Sequence, residues 1–356
     1  MTDTILDSRL QKRKDQGLLR SLQSTVGLVD FTSNDYFGFA QECHLGKRGS
    51  NGSTGSRLLT GNHPFYEQLE KQIAEFHRAE SCLIYNSGYC ANLGLLSALG
   101  TKTVTFLYDI EIHASMIDGI RLSDAKSLPF RHNDLDFLEK RLKQASAPVF
   151  VLVESIYSIS GHIAPLQEMV SLCVQYGANL IVDEAHATGI CGPNGEGLVV
   201  ELGLESKVFA RVHTFSKALG AHGACVLGSQ LLKEYLLNFS RSLIYTTALP
   251  MSILCSIESS YKRLQKEAKV HQSRLDHLIS YFCEKTGGKK TQSPIQPIYL
   301  SGVEKLRLLS KKLKDRGLDI RTIAPPTTPR GKECLRVVLH SFNREEEIDR
   351  LREVLQ

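Results

Sequence analysis

The chain has 356 residues, 42% hydrophobic and 23% charged, with 43 Lys+Arg against 38 Asp+Glu and a formal net charge of +5. That length and composition support two or three domains with cores of their own and exclude global disorder. The charge is spread along the chain with no run of five or six like residues, which excludes a nucleic-acid-binding arm, and a pI near 8.6 points only faintly toward an anionic ligand.

The N-terminal stretch interrupts Ile5, Leu6, Leu10, Leu18 and Leu19 with Lys12, Arg13, Lys14 and Asp15, so no secretory signal is expected. No stretch approaches about eighteen uninterrupted apolar residues, and no membrane span is expected. Short apolar runs at Val104 to Leu107, Val149 to Val153, Leu180 to Val182, Val208 to Val212 and Ala224 to Leu227 predict strands buried on both faces. Helical patterns fall between them, as at Leu135, Leu138, Leu142 and at Leu166, Met169, Val170, Cys173. The alternation predicts an α/β fold with a doubly wound, mostly parallel sheet. A long charged helix over Met251 to Cys283 should stop at Thr286-Gly287-Gly288. Beyond it come a strand (Ile295 to Leu300), a helix (Val303 to Arg316), the Pro-rich Ala324 to Pro329, a strand (Leu335 to Leu339) and a helix (Arg344 to Leu355). The expected organisation is an N-terminal segment 1–44, a large domain 45–250 and a smaller α/β C-terminal domain 251–356.

Nine cysteines with no C-x-x-C pair argue against a disulfide scaffold or a zinc ribbon, and no metal site is expected. Surroundings such as Ala224-Cys225-Val226-Leu227 fit reduced, buried thiols and a reducing cytoplasm.

Ligands of open parallel sheets bind beyond the carboxyl ends of the strands. Three runs end in polar groups there: Asp183-Glu184-Ala185-His186, His213-Thr214-Phe215-Ser216-Lys217, and Glu154-Ser155-Ile156-Tyr157-Ser158. The Asp-Glu-Ala-His string also suits the Mg²⁺-holding strand of a helicase. That reading needs a phosphate-cradling G-x-x-x-x-G-K-[ST] loop, and Gly46-Lys47, Gly288-Lys289 and Gly331-Lys332 all lack the earlier Gly and the following Ser/Thr. An acid, a histidine and a lysine at neighbouring strand ends suit pyridoxal phosphate, whose aldehyde takes a lysine Schiff base and whose ring nitrogen takes a carboxylate. Lys217 and Asp183 would fill those roles, although a lone strand-end lysine is more simply a solvated charge. Asn86-Ser87-Gly88-Tyr89 before an apolar helix offers an N-terminus for the phosphate, or a plain helix cap. His113 could stack on a cofactor ring or be an ordinary hydrogen-bonded histidine.

Four strings in order resemble the α-oxoamine synthases, fold-type I pyridoxal-phosphate transferases: Phe31-Thr-Ser-Asn-Asp-Tyr-Phe-Gly38, Gly52-Ser-Thr-Gly-Ser-Arg-Leu-Leu-Thr-Gly61, Asp183-Glu-Ala-His-Ala-Thr-Gly189 and His213-Thr-Phe-Ser-Lys-Ala-Leu-Gly220. The resemblance runs from about Arg20 to the C-terminal helix. It implies Lys217 as the Schiff-base lysine, Asp183 on the pyridine nitrogen, His186 on the ring hydroxyl and His113 stacked on the ring, with Lys217, His113 and Asp183 as the catalytic set. It also implies Ser158 and Thr214 as pocket hydroxyls, Ser87-Gly88-Tyr89 as the phosphate turn, and Thr247 reaching the partner subunit's phosphate in a homodimer with shared sites. Arg336, assisted by Asn34, matches the arginine that holds the substrate carboxylate, and Arg20 an arginine near the acyl chain.

The sequence departs from the family pattern twice. Ile159-Ser160-Gly161-His162 replaces the usual Met-Asp-Gly-Asp, removing two acids, and the stretch from Arg20 to Phe31 is short. Members join an amino acid to an acyl-CoA or carrier thioester with loss of CO₂: alanine with pimeloyl, glycine with acetyl or succinyl, serine with palmitoyl. Ala324-Pro-Pro-Thr-Thr-Pro-Arg-Gly331, Leu335-Arg336 and Phe215 look most like the alanine member, with the glycine–acetyl member next. A non-catalytic family subunit would lack the lysine, and the presence of both Lys217 and Asp183 argues against one.

Overall fold

Apolar runs that can satisfy their backbone groups only by pairing with one another build a single large sheet. The computed structural model describes residues 2–18, 25–41, 52–146, 148–287, 291–300, 302–325 and 327–355. Arg20 lies outside them. The chain divides into two units: Asp35–Ser158 with His162–Arg274, and Met1–Asn34 with Ile159–Gly161 and Leu275–Gln356.

After the two-residue strand β1 (Val29–Asp30), which belongs to the smaller unit, seven strands form the sheet of the larger one: β2 (Ser81–Tyr85), β3 (Thr105–Asp109), β4 (Lys126–Phe130), β5 (Val149–Glu154), β6 (Asn179–Asp183), β7 (Ala210–Thr214) and β8 (Ala224–Gly228). Their order is β2-β8-β7-β6-β5-β3-β4. Neighbours from β4 to β7 are parallel, whereas β8 runs antiparallel to both β7 and β2. The apolar run in β8 reads in sequence like its parallel neighbours. Its reversal follows from the link 215–223, which carries the lysine and is too short for the helical crossover that a parallel connection needs.

One face of the sheet packs Phe106, Leu152, Ile181, Val212 and Val226 against Ala91, Leu95 and Leu96 of the helix Gly88–Leu99. The Ser87 hydroxyl caps that helix, accepting from the Cys90 N–H at 3.2 Å. Strand β4 is invisible to apolar patterning because its sequence, Lys-Ser-Leu-Pro-Phe, belongs to a half-exposed edge where a proline is tolerated.

In the smaller unit β9 (Ile295–Tyr299), β11 (Arg321–Ile323) and β12 (Cys334–Val338) form an antiparallel sheet in the order β11-β12-β9, and β10 (Leu318–Asp319) pairs in parallel with β1. The helices Val303–Asp315 and Glu345–Leu355 complete this α/β unit, as the sequence pattern predicts. A helix over Thr2–Asp15 was not anticipated. Met251–Thr286 is one continuous helix, followed by Gly287 at φ +71°, the left-handed conformation that a helix stop uses. The eight described cysteines are free thiols, and among the described residues no helix is long and apolar enough to cross a membrane.

Candidate active site

The register of the central strands sets the carboxylates. Glu154 of β5 lies opposite Asp183 of β6, and Asp183 opposite Val212 of β7, two residues before Thr214. The polar strand ends picked out in the sequence therefore share one edge of the larger unit's sheet.

Asp183 is 5% exposed, and both carboxylate oxygens are held. Oδ2 accepts from Asn92 Nδ2 at 2.7 Å and Oδ1 from the Ala185 N–H at 2.9 Å. Asn92 sits on the buried face of the helix Gly88–Leu99 and also donates to Ser115 Oγ at 3.0 Å. The Ser115 hydroxyl is thereby left to donate to His113 Nδ1, 2.7 Å away, and the Ser115 N–H points to the same nitrogen at 3.2 Å. This chain of donors fixes the imidazole with its lone pair on Nδ1 and its proton on Nε2. His113 keeps a solvent-open surface. Desolvation by the surrounding protein nonetheless lowers its pKa, with the Asp183 charge opposing the shift and that of Lys217 reinforcing it.

Glu154, the acid on which the strand-end reading placed no role, is 2% exposed and lies in the same group. Its Oε2 accepts from the Ser158 N–H at 3.1 Å, while Oε1 is buried with no hydrogen-bond partner among the described residues. Burial, and then the Asp183 charge, push its pKa well above the usual carboxylate range, with Lys217 pulling the other way. The edge thus carries one carboxylate held by two donors and one acid that burial pushes toward its neutral form. A carboxylate at the end of a fully buried strand was the available signal for Glu154. For Asn92 it was one polar residue within an apolar helix.

Ser87 and Gly88 open the helix toward Thr214, since a Cβ at Gly88 would stand 3.7 Å from the Thr214 side chain. The Thr214 hydroxyl lies 3.0 Å from that of Ser216. The helix N-terminus, with its oriented N–H groups, and two hydroxyls therefore converge as an anion cradle. Lys217 follows directly and is half-buried. His186 is 4% exposed, its Nδ1 2.6 Å from the hydroxyl of Tyr36. Tyr89 turns aside: it is 43% exposed, bonded to Asp118 and edge-on to His113. Thr247 is exposed, and its carbonyl accepts from Asn86 Nδ2 at 2.8 Å, which ties its loop to the Ser87-Gly88 turn.

These residues fit pyridoxal phosphate. An open imidazole face, an amine, a carboxylate held by two donors and a helix N-terminus without a Cβ at Gly88 are the partners its ring, aldehyde, pyridine nitrogen and phosphate require. In the smaller unit, described by itself, Arg336 lies on β12, the middle strand, and donates through Nη2 to Asn34 Oδ1 at 3.0 Å. That bond orients a guanidinium fork suited to a carboxylate.

A family model described as aminotransferase class I and II matches residues 26–355. The chain is 40% identical to an 8-amino-7-oxononanoate synthase of Emericella nidulans over 389 aligned positions, covering 98% of this chain and 94% of that relative. Among solved structures it is similar to serine palmitoyltransferase from S. paucimobilis with a bound PLP–myriocin aldimine, with a TM-score of 0.88 and 29% identity over 98% of this chain and 95% of the other. It is also similar to 8-amino-7-oxononanoate synthase from Francisella tularensis, with a TM-score of 0.80 and 30% identity over 92% and 96% of the two chains.

Proposed function

The chain belongs to the aminotransferase class I and II family and is a pyridoxal-phosphate-dependent acyltransferase, and on that premise we propose that it joins L-alanine to a pimeloyl thioester, carried by CoA or a carrier protein, to give 8-amino-7-oxononanoate, CO₂ and the free thiol in biotin synthesis. The observation that carries this reading is the end-to-end match to a relative of that name. The string Ala324 to Gly331, with Leu335, Arg336 and Phe215, supports it. The enzyme acts in the cytoplasm as a homodimer, with Thr247 serving the phosphate of the partner subunit's cofactor.

When bound, the cofactor supplies an electron-poor ring that accepts the electron pair left at the amino acid's α-carbon. Lys217 is its anchoring amine, and the same nitrogen takes the α-proton and returns it. Asp183, fixed by Asn92 and Ala185, keeps a negative charge against the pyridine nitrogen and so holds a proton there. His113, neutral and oriented by Ser115, presents its ring face. His186, held by Tyr36, takes the ring hydroxyl. The Ser87-Gly88 turn and Thr214 take the phosphate, with Ser158 beside them. Tyr89 borders that turn and closes the outer edge of His113. Arg336 and Asn34 receive the substrate carboxylate, and Arg20 the acyl chain. The arginine fork sets which α-carbon bond is presented to Lys217.

The higher TM-score of the serine palmitoyltransferase favours serine with palmitoyl-CoA as a second reading. Backbone similarity reports the fold and is insensitive to acyl-chain length, so we rank it second. Crossing alanine, glycine and serine against pimeloyl-, acetyl- and palmitoyl-CoA, with thiol release as the readout, tests the choice. Alanine with pimeloyl-CoA should lead by at least about tenfold. A faster reaction of glycine with acetyl-CoA, or of serine with palmitoyl-CoA, overturns the assignment.

A further inference from the structure

His162, where the sequence departs from the family pattern, is exposed and lies beside two donors from other loops. Its Nδ1 is 2.9 Å from His132 Nε2, and His132 Nε2 is 3.5 Å from Glu111 Oε2. All three ligand atoms fall within 4.8 Å of one another. Ligands about 2.0–2.1 Å from a tetrahedral zinc ion stand roughly 3.3 Å apart, which is the spacing seen around His132. We propose that Glu111, His132 and His162 bind one divalent transition metal of the zinc class, with a water completing the shell on the exposed side.

The surroundings are built for this. Asp109 is fully buried, and its Oδ1 lies 3.1 Å from His132 Nδ1. That contact places the ring proton on Nδ1 and turns the Nε2 lone pair toward the cluster, the carboxylate–histidine–metal arrangement. The same carboxylate accepts the Glu111 N–H and the Asn133 N–H, each at 2.8 Å. Asn133 is held in the left-handed region at φ 52°, a conformation rare outside glycine, and its amide donates to the Ile163 carbonyl at 3.0 Å. The Tyr157 N–H in turn donates to the His162 carbonyl at 2.9 Å. One buried acid and one strained asparagine thus aim donors from the loops after β3, β4 and β5. Two imidazoles and a carboxylate suit Zn²⁺, Co²⁺ or Ni²⁺ better than Mg²⁺ or Ca²⁺. Occupancy would lock the loop after β3, which continues from Glu111 into His113.

The test uses the full-length holoenzyme, stripped of metal by a chelator and titrated with Co²⁺ while its visible d–d absorption is followed, and then with Zn²⁺. We expect one equivalent of four-coordinate Co²⁺, displaced by Zn²⁺, and a binding constant weakened at least about 100-fold in His162→Ala. Asp109→Asn should weaken binding about 10–100-fold, and His277→Ala, a histidine of the smaller unit, should bind as the wild type does. Cofactor absorbance and melting temperature establish that each variant is folded. Absence of stoichiometric Co²⁺ absorption in the wild type, thiolate charge-transfer bands, or unchanged binding in folded His162→Ala each overturns the site.

Discussion

Asp183 and Glu184 are adjacent, acidic and sealed from solvent, 5% and 0% exposed, yet they belong to different machines. Successive side chains at a strand end leave on opposite faces of the sheet. Asp183 joins Asn92, Ser115 and His113 on the face of the helix Gly88–Leu99. On the other face Glu184 Oε1 accepts the N–H groups of Leu198 at 2.9 Å and Val199 at 3.2 Å, and its Oε2 faces His213 Nε2 at 3.6 Å. His213 lies against His77, with ring centroids 4.0 Å apart, and His77 spans from the Glu196 carbonyl to the Tyr261 hydroxyl. The same alternation sends Thr214 to the face of the helix Gly88–Leu99 and His213 to the other. Buried charge alone therefore does not mark a site. The face of the helix Gly88–Leu99, the proposed cofactor face, differs because its polar groups converge where a ligand can reach them, as the open surface of His113 and the half-buried Lys217 show. The opposite face is closed: Glu184, His213 and His77 are each 0% exposed and bond to neighbouring segments.

The sharpest way to break this contrast is Lys217→Ala. Thiol release should fall roughly 10³-fold or more through loss of the proton carrier, with the yellow colour of the lysine-bound cofactor lost and the melting temperature nearly unchanged. A colourless wild type would remove the cofactor role from Lys217 altogether. Next come paired variants of the two acids. Asp183→Asn should lower kcat roughly 10²-fold or more, because a preorganised charge is lost where charge develops, while leaving the folded state intact. Glu184→Ala should do the reverse, lowering the unfolding free energy by about 2 kcal/mol or more through the two buried N–H groups of Leu198 and Val199 it leaves unpaired, with kcat per bound cofactor within a few-fold of wild type. If Asp183→Asn unfolds the chain and Glu184→Ala silences a folded one, the two-face distinction fails.

Asn92→Ala makes a finer cut on the cofactor face. It removes one of the two donors to Asp183, and about a tenfold drop in kcat is expected from the loss of one hydrogen bond to a charged group. An unchanged kcat would mean that the Ala185 N–H holds the carboxylate alone. A separate cut, read in pH and not in rate, lies on the opposite face. Burial, aided by the Arg211 charge, drives the pKa of His77 down from 6.5 to about 3, so the unfolded chain takes up a proton that the folded one refuses. Wild type should accordingly lose stability relative to His77→Gln as pH falls from 6.5 toward about 3, and the two should run parallel above 6.5. Urea midpoints at several pH values read this directly, and curves parallel throughout would show that His77 is not held neutral.

Much of the larger unit was legible in its sequence. The apolar runs of β3, β5, β6, β7 and β8 stand out because strands covered on both faces admit few polar residues. Lys217, Asp183 and His186 stand out because each follows such a run. Strand β4 was missed, since an exposed edge relaxes the apolar requirement. Asn92 was missed because its neighbours Ala91, Leu95 and Leu96 give the helix an apolar face on which one polar residue carries no address. Glu154 was visible at its strand end, but its raised pKa comes first from burial and then from Asp183 standing opposite it, and both are matters of packing and register. The cluster of Glu111, His132 and His162 has no short-range spacing to betray it, because its donors come from three loops.

By itself the sequence determined most of the elements, the placing of a lysine, an aspartate and a histidine just after buried strands, and the cofactor such a set suits, since periodicity and strand-end composition are local properties. Only the tertiary structure decided which of two adjacent acids joins Asn92 and which joins Leu198 and Val199, that β8 reverses, and that three separate loops bring two imidazoles and a carboxylate together. Those outcomes depend on strand register and on how helices close over each face, and both are fixed by packing among residues far apart in the chain.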